Sequence, residues 1–133
     1  MLGVAATTRD PRQPAPYSNV GDERRLGDHV ATFGGDRGAA FEPRDGVVGV
    51  YSGEFPPLRT GQAAPENATG WAYWSGTSFA TALVSGIAAN VWASKPTAHA
   101  SEILADLHLT ASRTGAYVPA LRTPSIAVSG DWA

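Results

Sequence analysis

Residues 79–93 constrain this chain more than any other stretch. They contain no proline and one glycine, and nearly all are apolar or small: Phe79, Ala80, Ala82, Leu83, Val84, Ile87, Ala88, Ala89, Val91 and Trp92. Projected on a helix, these side chains cover every face, and a helix that is apolar all round is expected to be buried. The run falls short of the roughly 18 apolar residues that a membrane span needs. The pattern therefore predicts a central core helix, opened by Gly76-Thr77-Ser78.

The rest of the chain supplies what such a helix would pack against. A β-compatible run at residues 2–8, a short run at residues 29–33 stopped by Gly34-Gly35, and the β-branched run at residues 47–51 read as strands. Between them, Pro11, Pro14 and Pro16 mark loop and turn sequence. Residues 22–28 are charged and read as solvated, and residues 53–70, rich in glycine and proline, as a long surface loop. After Lys95-Pro96, Thr97 is a plausible N-cap for an amphipathic helix. Its apolar stripe is Ile103, Leu104 and Leu107, with Glu102 and Asp106 on the wetter side. Residues 113–133 read as an irregular tail with one strand at residues 125–128.

Composition narrows the function classes. With 133 residues the chain is one domain or a piece of a larger one. It is 43% hydrophobic and 17% charged, enough apolar content to bury a core. A formal net charge of -2 without a basic or acidic run gives no basis for a nucleic-acid partner or an anionic membrane surface. The absence of cysteine excludes disulfides and thiolate metal sites. His29, His99 and His108 show no ligand spacing backed by carboxylates, and no calcium-loop pattern is present, so no metal or cofactor is expected. The first six residues are too short for a signal-peptide core, so for an exported parent the signal is expected to lie elsewhere or to be missing.

The segment Ser75-Gly76-Thr77-Ser78-Phe79-Ala80-Thr81-Ala82-Leu83-Val84-Ser85-Gly86 resembles the serine signature of the subtilisin-like serine proteases (subtilases, peptidase family S8), Gly-Thr-Ser-x-Ala-x-Pro-x-Val-x-Gly. Gly76, Thr77, Ser78, Ala80, Val84 and Gly86 match. Ala82 departs, since the family usually has proline there. Weaker likenesses flank it. Residues 2–7 look like the family strand that ends in a Val-Gly-Ala-like run, and Tyr17-Ser18-Asn19-Val20-Gly21 looks like its Phe-Ser-Asn-x-Gly turn. Residues 30–35 sit where the family has Val-x-Ala-Pro-Gly, residues 48–52 look like the next strand, and residues 96–111 like the helix after the serine helix.

The resemblance implies an α/β fold, with residues 1–112 as the C-terminal part of a subtilase catalytic domain and residues 113–133 as a tail. The parent would be a parallel sheet with helices on both faces and a buried central helix, of which this chain is an incomplete portion. Ser78 would be the nucleophile of peptide-bond hydrolysis through an acyl-enzyme, with its backbone N–H in the oxyanion hole and Thr77 and Gly76 as its setting. A helix N-terminus suits that task, because its N–H groups lack intrahelical partners and its dipole favours negative charge.

The family order along the chain is Asp, His, Ser, and its Asp-Ser/Thr-Gly and His-Gly-Thr signatures are absent here. The expected partners are thus a peptide or protein substrate and the N-terminal half of the catalytic domain. The chain by itself is expected to be inactive, and the family points to a secreted or cell-envelope parent. Three alternatives stand beside this. Ser78 could merely cap a helix. The chain could be a non-catalytic remnant that binds or complements another piece. It could also be a hydrolase built on a local histidine. The nucleophile elbow of the α/β-hydrolases wants glycine at position 80, where this chain has alanine. Asn67-Ala68-Thr69 fits a glycosylation sequon and reads as a chance match. Trp71, Tyr73 and Trp74 could line a cleft, or be ordinary packing.

Overall fold

The computed structural model describes residues 2–19, 29–36, 45–57 and 60–126. Strand β1 (Gly3–Thr7) pairs in parallel with β2 (His29–Phe33), in the register Val4 to Val30 and Ala6 to Thr32. β3 (Val47–Val50) pairs antiparallel with β4 (Trp71–Trp74). Helix α1 (Thr77–Ser94) and helix α2 (Ala100–Thr114) follow. The described chain closes with β5 (Tyr117–Val118), a 3-10 turn at Pro119–Leu121, and β6 (Thr123–Pro124), which pairs with β5. The chain is α/β.

Period-two alternation along β1 and β2 divides the core. On one face, Val4 and Val30 pack with Val84 of α1 and with Leu107 and Ala111 of α2, while Ala6 meets Ala80 and Ala15. On the other face, Ala5 and Ala31 pack with Val118 and Leu121. Both helices thus lie on one side, and the segment after α2 covers the other. Alanine at positions 5, 6, 31 and 80 lets backbone layers approach closely. The larger fully buried side chains, Val30, Ile103 and Leu107, each contribute about 1.5–3 kcal/mol by leaving water.

The stretch expected to be an irregular tail returns to the sheet. Ser125 makes a parallel bridge to Ala31, the Ile126 N–H donates to the Ala31 carbonyl at 2.7 Å, and the Thr123 hydroxyl donates to the His29 carbonyl at 2.7 Å. Ser125 Oγ donates to the Ala116 carbonyl at 2.9 Å. These buried hydroxyls are satisfied, as burial requires. Residues 127 and 128 of the strand expected there lie outside the described residues, as do the charged residues 22–28.

Two expectations are corrected. Helix α1 is not buried all round. Only Ala80 and Val84 are buried, whereas Thr81, Ala82, Ser85, Gly86, Ala89 and Asn90 are exposed and Trp92 is 42% exposed. Its apolar composition could not reveal how much cover the chain itself provides, and β1, β2 and α2 cover one side of the cylinder. Second, the N-cap of α2 is His99 rather than Thr97. The His99 N–H donates to Glu102 Oε2 at 2.7 Å while the His99 side chain accepts from the Glu102 backbone. That reciprocal pair satisfies two orphan donors at once, and a turn hydrogen bond from the Ala98 N–H to the Lys95 carbonyl precedes it.

Candidate functional site

Three segments meet at the mouth of α1. The loop that leaves β2 at Gly34 and Gly35, the turn that carries Tyr17, and β4 ending at Trp74 all converge on Gly76. The Gly76 N–H donates to the Gly34 carbonyl at 2.8 Å, so the loop at the C-terminal end of β2 fixes where the helix begins. Gly35 lies against the Trp74 carbonyl and Ser75 Cα, leaving no room for a side chain there.

Gly76 is the N-cap residue, with φ 152° and ψ 157°. That region is essentially restricted to glycine, and a glycine N-cap offers no side-chain oxygen to the first turn. The Phe79 and Ala80 N–H groups reach back to the Gly76 carbonyl at 3.0 and 3.3 Å. The Thr77 and Ser78 N–H groups have no backbone partner among the described residues. Ser78 is the second helical residue and is exposed. Its hydroxyl makes no hydrogen bond to a described residue, whereas Thr81 Oγ1 folds back onto the Thr77 carbonyl at 2.8 Å. No acidic side chain occupies the first turn. The mouth of α1 therefore combines an uncommitted hydroxyl, two open N–H groups and the positive end of a helix dipole.

An aromatic wall borders the site. Trp74 stacks on Phe79 with ring centroids 5.3 Å apart, and Tyr51 meets Trp74 edge-on at 5.3 Å. Of the aromatics singled out in the sequence, Trp74 thus sits beside the serine. Trp71 and Tyr73 point to the opposite face of the β3–β4 pair, where they are exposed together with Val48 and Val50. The strand signal for β4 is the alternation at Trp71-Ala72-Tyr73, with Ala72 buried between two exposed rings.

The structure brings none of the three histidines to Ser78. His29 opens β2, and Gly34 at the other end of that strand lies about 16 Å away along it. His99 caps the helix that follows the far end of α1, and Ser94 lies about 24 Å along the axis from Ser78. His108 follows Leu107, which packs on Val84, about 9 Å of helical rise beyond Ser78. Among the described residues, no group of three or more metal-ligating side chains gathers, and no helix is long and apolar enough to cross a membrane.

Other candidate positions resolve into structure. Asn67 Nδ2 donates to the Tyr51 carbonyl at 2.6 Å and the Gly53 carbonyl at 2.9 Å, and its Oδ1 accepts from the Gly70 N–H at 3.1 Å. It pins the loop, which gives the sequon asparagine a packing role. A shallow hollow of about 450 Å³ between Ser52–Glu54 and Ala64–Asn67 holds two carboxylates and no residue of the serine motif. Its concavity alone does not make it the site, because the exposed Ser78 hydroxyl and the open N–H groups are elsewhere. Asp10 Oδ1 accepts from the Arg12 N–H at 2.9 Å, the turn role that its sequence context indicates.

One group at the site was missed. The Tyr17 hydroxyl donates to the Gly34 carbonyl at 2.7 Å and also contacts the Gly35 carbonyl. Burial pushes its pKa above the ordinary value; a hydrogen bond from the Gly76 backbone opposes this, and the Asp36 carboxylate adds to the rise. The turn likeness at residues 17–21 has phenylalanine in this place, and the added hydroxyl was the signal available.

The molecule is thus an α/β chain with an exposed serine at an uncapped helix mouth. Residues 1–124 match the model of the Subtilase family, peptidase S8. The chain belongs to that family, and at family level it is a region of a serine protease. No curated protein and no solved structure matches it.

Proposed function

We propose that this chain carries the nucleophile of a subtilase catalytic centre, Ser78, and that the general base and its orienting carboxylate come from polypeptide outside these 133 residues. The observation that carries the reading is the mouth of α1: an exposed Ser78 with no hydrogen-bond partner among the described residues, next to open N–H groups and after a glycine in a glycine-only conformation. A helix start built only for stability would have a side-chain cap and an acidic first turn.

In this reading Ser78 Oγ attacks the carbonyl carbon of a peptide bond while a histidine takes its proton. Negative charge then develops on the carbonyl oxygen, beside the Ser78 N–H and the positive end of α1, and the Thr77 hydroxyl is a supporting donor. The amine leaves with a proton, and water hydrolyses the acyl-enzyme. Gly76 allows the substrate backbone to approach. The parent fold is a larger parallel sheet with helices on both faces. The exposed side of α1, made largely of small residues such as Ala82, Ser85, Gly86 and Ala89, is where further polypeptide would pack. Substrates are peptides or proteins, and the parent is secreted or held in the cell envelope.

The test is complementation. The chain is mixed with a separately produced subtilase segment bearing the Asp-Ser/Thr-Gly and His-Gly-Thr signatures, and hydrolysis of an unstructured protein substrate is followed. Activity that needs both pieces and disappears in Ser78→Ala supports the proposal. A complex that assembles without hydrolysis favours the non-catalytic, complementing reading, for which the alanine at position 82 in place of the family proline is the one sequence argument.

A further inference from the structure

We propose that Tyr17 is a positioning residue whose hydroxyl locks the mouth of α1, and thereby Ser78, to the end of the parallel strand pair; its relevance to catalysis rests on Ser78 being the nucleophile. Three segments are joined through one carbonyl. The Gly34 carbonyl accepts from Tyr17 Oη at 2.7 Å and from the Gly76 N–H at 2.8 Å, using both of its lone pairs. The same hydroxyl contacts the Gly35 carbonyl and stands beside the Gly76 backbone. A phenol has one proton, so it serves the two carbonyls in turn while its oxygen faces the Gly76 N–H.

Tyr17 can act as a fixed point because its own turn is tied down. The Ala15 N–H donates to the Ala6 carbonyl at 2.9 Å, the Ala6 N–H donates to Ser18 Oγ at 2.9 Å, and the Ser18 N–H donates to the Ala15 carbonyl at 2.8 Å. Packing adds to this, since Tyr17 lies against the Ala6, Ala15 and Ala80 cluster. The constraint matters at Gly76. A glycine without side-chain contacts is the most mobile residue a chain can place at a helix start, and here its conformation aims the two open N–H groups and Ser78. Phenylalanine would keep the ring packing and remove only the tie.

The experiment compares the isotopically labelled chain with its Y17F variant by amide hydrogen exchange. We expect the Gly76 amide to exchange about tenfold faster in the variant, the loss of one hydrogen-bond tie, with changed Thr77 and Ser78 amide shifts and Leu107 exchange within twofold of wild type. No change at Gly76, or equal acceleration at Leu107, overturns the proposal. Should Y17F not fold, titration of the wild-type chain decides. The ring carbon bearing the Tyr17 hydroxyl is followed through its alkaline transition, with Asp36 as the acidic group facing it. The Gly34 and Gly76 amide shifts should move with the same midpoint, and shifts that ignore the Tyr17 transition overturn the tie. Neither readout involves hydrolysis, so an inactive Ser78 in the complementation assay would leave the result standing.

Discussion

Helices α1 and α2 are neighbours that obey different rules. α2 satisfies itself. It has a reciprocal cap at His99 and Glu102, an acid in its first turn, a base, Arg113, in its last, and an apolar stripe whose Ile103, Leu107 and Ala111 are fully covered. α1 has neither the side-chain cap nor the terminal charges, and only Ala80 and Val84 are buried. Its cap is a glycine in a conformation other residues avoid, its terminal turns carry no charges, and many of its apolar and small residues face outward. An exposed ion pair, Lys95 to Asp106 at 2.5 Å, links the two surfaces, and such pairs add little. The contrast teaches where stability was given up. Violations of local rules concentrate at functional sites, and here they concentrate at the end of α1 that presents Ser78 and along its outward side.

Mutations can break that contrast in order of expected size. Leu107→Ala, in the covered stripe of α2, should cost about 3 kcal/mol in chemical denaturation; a loss below about 1 kcal/mol would mean that α2 is not the anchoring helix. Gly76→Ala should cost about 2 kcal/mol, because alanine must be strained into the glycine-only region or displace the helix mouth. A neutral effect would show that the turn before Ser78 can relax freely. Glu102→Ala should cost about 1 kcal/mol by opening one arm of the cap, read as a lower thermal midpoint. Ser85→Lys and Ala89→Glu on the outward side of α1 should change stability by less than about 0.5 kcal/mol, while blocking assembly in the complementation assay. A large destabilisation of the chain alone would mean that this side is covered after all.

What the sequence revealed follows the range of the forces involved. β1, β2 and β3 were legible because alternation and β-branching are local, and both helices because their apolar patterns are long. The start of α1 was legible because Gly76, Thr77 and Ser78 are consecutive at its opening turn. The exposed side of α1 was not legible. An apolar helix shows that it suits cover, and nothing in it says which polypeptide supplies that cover. The cap at His99 was missed because Thr97 is the better cap by type, and only the reach of Glu102 back to His99 decides between them. The return of residues 116–126 onto the sheet was hidden for a similar reason, since the bonds from Thr123 and Ser125 join positions far apart in the chain. Tyr17 was seen as part of a turn; its partners, Gly34 and Gly76, lie in segments that only the fold brings together.

The most direct test of the central claim is intact-mass analysis of the chain alone after treatment with a fluorophosphonate, which labels only serines activated by a base. The account predicts no adduct on Ser78, because no histidine of this chain is placed to take its proton. Rapid stoichiometric labelling that disappears in Ser78→Ala would contradict it and show that the chain carries its own base.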